Sequence, residues 1–247
     1  MAILAIYNIK GGVGKTAASV NLSHCAARAG ARVLVWDLDP QGASTFTFRI
    51  KPRVKGGARK LIRGKRAVED QIKGTDIASV DLLPADFRYR HLDLRLAATP
   101  RPERLMRSFL RLLAREYDHV LVDCAPGISL VSECVLRAVD AVLVPLIPTT
   151  LSVRTYKQLV QFLERKKITR PAVMPFLSIV DRRKRLHREL VEHYRAFGKG
   201  FLKTVIPNAT EVEQMALHRA PVRTFAPNSA AARAYEALWR EITERLT

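Results

Sequence analysis

Residues 2–16 read AILAIYNIKGGVGKT. Residues 2–8 are a short apolar run rich in β-formers, and Gly11, Gly12 and Gly14 follow at once, so a strand feeds a glycine turn. Val20, Leu22, Cys25, Ala26 and Ala29 recur at helical spacing in 15–29, and Gly30 stops that helix. Such a loop lets backbone N–H groups converge on an anion at a helix N-terminus, where the macrodipole favours negative charge. Lys15 is placed to reach β- and γ-phosphates, and the Thr16 hydroxyl to ligate Mg²⁺. The strict pattern G-x-x-x-x-G-K-[ST] is missed at one position, where Ile9 stands for the first glycine. The bland alternative, a chance Gly-Lys-Thr in a turn, is disfavoured by the strand and helix that flank it.

Working outward, the order strand, helix, strand recurs. Residues 32–36 (RVLVW) predict a second buried strand ended by Asp37, 105–114 a helix, and 119–122 a strand ended by Asp123. Helices follow at 128–138, 152–165, 184–197, 209–219 and 228–246, with strands at 141–146, 172–180 and 201–206. Apolar strands without alternation, separated by helices, imply a doubly wound, mostly parallel α/β sheet with helices on both faces. A single P-loop domain over residues 1–247 is expected.

Composition agrees. The chain has 247 residues, 48% of them hydrophobic, enough for a packed core and against wholesale disorder. Folding at this length buries roughly 70–75% of the unfolded surface. No apolar run approaches the roughly 18–20 residues that span a bilayer, and the N-terminus does not read as a signal peptide. Cys25, Cys124 and Cys134 are an odd count without a C-x-x-C pair, which argues against a disulfide framework or zinc ribbon and fits a reducing, cytoplasmic setting. Forty-two Lys and Arg against 23 Asp and Glu leave a charge of +19, which favours a polyanionic partner, nucleic acid before anionic membrane.

Lys10, ahead of the double glycine, is the extra lysine of the deviant Walker A ATPases, and the chain resembles that group, the ParA/MinD superfamily. Asn8-Ile9-Lys10 resembles the ParA-type N-x-K-G-G-V-G-K-T more than the MinD type, which has Gly before this lysine. The resemblance implies that Lys10, Gly11, Gly12, Val13, Gly14, Lys15, Thr16 and Ala17 bind ATP, and that Lys10 crosses a nucleotide-sandwich homodimer to the other subunit's phosphates. Ala17 stands where the family often has a second Thr that contacts the α-phosphate. Residues 37–42, DLDPQG, resemble the family's switch I; by that match Asp39 positions the attacking water and Asp37 supports the Mg²⁺ shell. Residues 123–127, DCAPG, resemble switch II with Ala125 in place of a proline, and Asp123 is then the Walker B acid that holds Mg²⁺ through a water. Lys10, Lys15 and Asp39 form the implied catalytic set, and Thr16, Asp37, Asp39 and Asp123 the implied metal set. Asp181 and Pro207 are implied on the adenine side. An iron–sulfur reading of the cysteines fails for want of two in the right motif contexts, so buried thiols are expected.

Three basic clusters stand out. Residues 49–66 hold nine Lys or Arg, no acid and three glycines, and read as a basic surface excursion. Arg101, Arg104, Arg107 and Arg111 share one helical stripe, read equally as a solvated face or a DNA contact. Arg182, Arg183, Lys184, Arg185 and Arg188 follow the strand ending near Asp181, where ParA-type proteins carry D-x-R with an arginine that binds duplex DNA without sequence preference; Arg183 takes that position. The resemblance implies a soluble, nucleoid-associated ATPase that a ParB-like or cargo-adaptor protein activates and that partitions a plasmid or chromosome or positions another cargo. The rivals are a MinD-like membrane-surface ATPase using the amphipathic residues 235–246, and a non-catalytic scaffold with a decayed P-loop.

Overall fold

The computed structural model describes residues 1–54, 69–197 and 200–246. Its strands are β1 (Ala2–Ile6), β2 (Val33–Asp37), β3 (Lys73–Gly74), β4 (Val80–Leu83), β5 (His119–Asp123), β6 (Ala141–Leu146), β7 (Ala172–Val180) and β8 (Val205–Pro207). Among the described residues they form one sheet in the order β3-β4-β2-β5-β1-β6-β7-β8. Every pairing is parallel except β3 with β4 at the edge. β1 is central, and the chain travels to one side of it towards β2 and later to the other through β6. Such a topological switch point is where open α/β sheets place ligands, at the carboxyl ends of the strands.

The pleat sends alternate β1 side chains to opposite faces. Ile3, Ala5 and Tyr7 enter one core, and Ala2, Leu4 and Ile6 the other. Helix α1 (Lys15–Arg28) covers the second face, with the C-terminal helix treated below. α2 (Ala43–Thr47) is a single turn after β2. α3 (Leu92–Ala97), α4 (Pro102–Leu113), α5 (Leu130–Leu136) and α6 (Thr150–Arg165) cover the first face. α5 starts where it does because Ser129 and Ser132 form a reciprocal capping box. α7 (Arg185–Phe197) follows β7, and α8 (Ala230–Leu246) closes the chain.

Some expectations need correction. The strand expected at 201–206 is only Val205–Pro207; Phe201 and Leu202 are buried, but Leu202 reaches the sheet through one hydrogen bond to the Pro175 carbonyl. The helix expected at 209–219 is two short turns, Thr210–Glu213 and Met215–His218, ended by Arg219 at φ 49°. β3, β4, α2, the 3-10 turn Phe87–His91 and α3 were not anticipated, because each is too short to show periodicity. Of the basic segment expected at 49–66, Arg49, Lys51 and Arg53 are exposed. Arg49 is held by Asp76 and the His218 carbonyl, and Val54 is fully buried, its amide donating to Asp86 Oδ2 and its carbonyl accepting from Arg88. Residues 55–66 of that segment lie outside the described residues.

α8 buries Ala231, Ala232, Tyr235, Leu238, Trp239 and Ile242 in the core shared with α1, and Trp239 meets His119 edge-on at 5.0 Å. Trp239→Ala is expected to lower the unfolding free energy by about 3–5 kcal/mol. Urea denaturation checks this, and a loss under 1 kcal/mol would mean that the helix is not a load-carrying part of the core.

Candidate functional site

The loop between β1 and α1 is set by its own side chains. Asn8, almost fully buried, donates from Nδ2 to the Pro145 carbonyl at 2.8 Å and accepts the Lys10 amide at Oδ1 at 2.9 Å. Tyr7 Oη donates to the Gly127 carbonyl at 2.9 Å, and the Gly127 amide donates to the Ile9 carbonyl at 2.9 Å, so the loop and the segment after β5 are tied twice. Gly14 caps α1 with φ 92°, a left-handed conformation that favours glycine, and a Cβ there would stand 2.8 Å from Ser178 Oγ. A Cβ on Gly11 or Gly12 would meet no protein atom within 4 Å and would project into the open cradle instead. Lys15 is buried, with its ammonium 3.2 Å from the Lys10 carbonyl. Burial pushes its pKa down, and the negative charges of Asp123 and Asp39 oppose that shift.

The carboxylates lie beneath the loop. Asp37 and Asp123 are register partners on β2 and β5, and both are buried. Asp123 Oδ2 accepts from Thr16 Oγ1 at 2.9 Å and from Ser44 Oγ at 2.6 Å, while its Oδ1 is buried without a hydrogen-bond partner. Asp37 Oδ2 accepts from both the amide and the hydroxyl of Thr45, each at 2.7 Å, and Oδ1 from the Asp39 amide at 3.3 Å. Burial pushes both carboxyls well above the ordinary carboxylate range, and the charge of Asp123 pushes Asp37 further. Asp39 is half-buried and accepts the Gln41 amide at 2.9 Å. The structure therefore brings Thr16, Asp37, Asp39, Asp123 and Lys15 together, and it ties Asp37 to α2.

These residues fit a hydrated Mg²⁺ beside phosphates. The donors are hard oxygens, one buried carboxylate oxygen lacks a partner, and a cation there would favour the ionised carboxylates that burial opposes. Among the described residues no three His, Cys, Asp or Glu side chains form a metal cage. Thr16 and Asp123 would hold it, with Asp37 and Asp39 behind them.

The neighbouring strand ends extend the site. Val180 on β7 is the register partner of Pro207 on β8, so Asp181 and Pro207 flank the same carboxyl edge, next to Ser178 under Gly14. Asp181 receives three hydrogen bonds from Arg183, two of them a guanidinium fork at 3.0 and 2.9 Å, and its amide donates to buried His187 at Nδ1. Arg182, Arg183, Lys184, Arg185 and Arg188 are all exposed, with Arg185 paired to Glu189. Arg101, Arg104, Arg107 and Arg111 are likewise exposed on the face of α4 opposite buried Met106, Phe109 and Leu110. All three cysteines are buried.

Sequence reasoning missed Ser44, Thr45, Ser178 and Asn21. Asn21 lies inside α1 and accepts the Val222 amide at 2.9 Å, pinning a distant segment to the helix that carries the loop. No local pattern marks such residues, because their partners lie far along the chain. Gly14→Ala should lose about 1–3 kcal/mol of stability, from left-handed strain plus the Ser178 contact. Adding Ser178→Ala should return part of that loss in urea denaturation; no recovery would mean that the contact does not shape the loop.

The AAA_31 family model, described as an AAA domain, matches residues 1–173. The chain is 30% identical over 246 residues to the sporulation initiation inhibitor protein Soj of Bacillus subtilis, covering 97% of each. It is 31% identical over 256 aligned positions to the chromosome partitioning protein ParA of Caulobacter vibrioides, covering 99% of this chain and 95% of that protein. Among solved structures, cobyrinic acid a,c-diamide synthase from Mycobacterium smegmatis, crystallised with an ATP analogue and magnesium, superposes with a TM-score of 0.83 at 24% identity. That match covers 100% of this chain and 96% of the other, and the likeness is one of fold. A loop led by Lys10, acids at two adjacent strand ends and relatives aligned across nearly the whole length agree: the chain belongs to the ParA/MinD superfamily of P-loop ATPases, close to its ParA-type partition members.

Proposed function

We propose that residues 1–247 form a single P-loop domain that hydrolyses ATP with Mg²⁺, dimerises around the nucleotide and, as a dimer, binds duplex DNA without sequence preference. The observation that carries this reading is the Thr16–Asp123 hydrogen bond at 2.9 Å, directly behind the glycine loop. It joins the loop's hydroxyl to the strand-end acid as a magnesium–triphosphate site requires. Bound Mg²⁺–ATP supplies the electrophilic phosphorus and neutralises charge on its oxygens. The chain's residues do the positioning. The N-terminus of α1 and the loop amides hold phosphate, Lys15 adds a fixed cation, and Asp39 orients the attacking water. Lys10 is the residue expected to complete the other subunit's site.

The relatives named for chromosome partitioning support a cargo of that kind, in the cytoplasm and on the nucleoid, with a ParB-like or adaptor protein as activator. The exposed arginines of 182–188 support the DNA reading. Two chains holding ATP pool two such surfaces, so affinity rises by avidity without new contacts. The membrane alternative is disfavoured because the apolar face of α8 is already spent in the core. No helix among the described residues is long and apolar enough to cross a membrane.

ATP turnover is expected in the intact chain, lost in Lys15→Ala, and lost with nucleotide binding retained in Asp39→Ala; turnover unaffected by Lys15→Ala overturns the catalytic reading. In co-sedimentation, duplex DNA should be retained only with ATP. Its log affinity should fall against log salt by about 0.9 per phosphate neutralised. Lys10→Ala and Arg183→Ala should each reduce retention, and retention indifferent to ATP overturns the switch.

A further inference from the structure

Ser44 is fully buried on α2 and donates its hydroxyl to the Walker B carboxylate, 79 residues away, at 2.6 Å. It shares Oδ2 of Asp123 with Thr16, and Oδ1 is left buried and without a partner. The next residue, Thr45, serves the adjacent strand end: both of its donors go to Asp37 Oδ2, and its hydroxyl also accepts the Ala85 amide at 2.8 Å. Consecutive hydroxyls therefore fasten α2, just after residues 37–42, to two neighbouring acids, and they do unlike work. Thr45 is committed to a structural junction of β2, α2 and the residues after β4. Ser44 has one acceptor, and that acceptor also holds the P-loop threonine.

Helix packing does not demand an oxygen at residue 44, since an alanine fills nearly the same volume and has the better helix propensity. A buried hydroxyl is retained at little cost only when it is hydrogen-bonded, and here its acceptor is a carboxylate. With two donors on one oxygen, the carboxylate is fixed about its terminal torsion, and the opposite oxygen is the one left for a metal-bound water. Groups that orient a ligand without touching the metal commonly account for 10–100-fold in metal affinity.

We propose that Ser44 is a positioning residue for magnesium: it holds Asp123 by Oδ2, leaves Oδ1 for the hydrated ion, and so makes tight metal binding depend on α2 being docked. This rests on the reading of the site as a magnesium–nucleotide site. The link also runs the other way, because a metal that needs Asp123 oriented favours the docked state of α2 by the same factor.

The test uses the full chain, a fluorescent ADP analogue and Mg²⁺ titrations. Nucleotide affinity is measured in EDTA and then across a magnesium series for the unsubstituted chain, Ser44→Ala and Ser44→Thr, with thermal melts to confirm folding. Ser44→Ala should weaken the apparent magnesium affinity of the nucleotide complex about 10-fold, leave EDTA nucleotide affinity within about twofold, and expose the 37–47 segment to limited proteolysis in the presence of Mg²⁺. Ser44→Thr, which keeps the hydroxyl, should recover most of the magnesium affinity. An unchanged magnesium affinity in Ser44→Ala overturns the proposal. So does an equal loss with and without Mg²⁺, which would mark a structural role alone. Failure of the unsubstituted chain to bind nucleotide overturns the underlying reading and is told apart because it needs no variant.

Discussion

Asp37 and Asp123 end adjacent parallel strands in register, both out of water, so two carboxyl groups share one buried site and burial opposes ionising both. Buried charge of one sign is strongly unfavourable unless it is hydrogen-bonded or neutralised. The surroundings answer that cost piecemeal. Thr45 gives Asp37 two donors, Thr16 and Ser44 give Asp123 two, and Lys15 lies near enough for its charge to be felt. What these donors leave unmet is the unpartnered oxygen of Asp123. The site is thus built to be completed by a cation, and its donors come from the glycine loop and from α2.

The sheet makes that arrangement possible. β1 sits between β5 and β6, and its carboxyl end opens at the point where the chain changes direction across the sheet. Helix α1 then leaves with its N-terminus at the crevice, and the macrodipole adds partial positive charge where phosphate would lie. Both faces of the sheet are covered, by α8 with α1 on one side and α3 to α6 on the other, so the rigid body behind the site is complete. The remaining donors come from short segments, α2 and the residues after β5, that hydrogen-bond to the acids and to the loop.

Charge distribution separates two tasks. Asp37, Asp39 and Asp123 gather at the strand ends, while exposed basic side chains cluster at residues 182–185 with Arg188 and along the outer stripe of α4. Asp181 stands where these regimes meet. Its carboxylate is nearly buried at the edge next to Pro207, and it holds the guanidinium of Arg183, whose side chain is 88% exposed. A single ion pair of this exposure contributes little stability. Its effect is to set the direction of an arginine on a basic loop.

The first loop was legible from residues 8–16 because everything that shapes it is local: a strand of β-formers, glycines that permit close approach, and a helix whose start must lie at the loop. Asp37 and Asp123 were legible as acids closing apolar strands, and α8 as a helix with one apolar stripe. β3, β4 and α3 were not, because elements of two to six residues carry no period. Nor was it legible that Ser44 would find Asp123, that Ser178 would stand beside Gly14, or that one oxygen of Asp37 would take both donors of Thr45. The order of residues determines which groups are available and what backbone each stretch adopts. Strand register and the layering of helices decide which of those groups meet, since a hydrogen bond acts over about 3 Å of space and takes no account of the 79 residues between its ends.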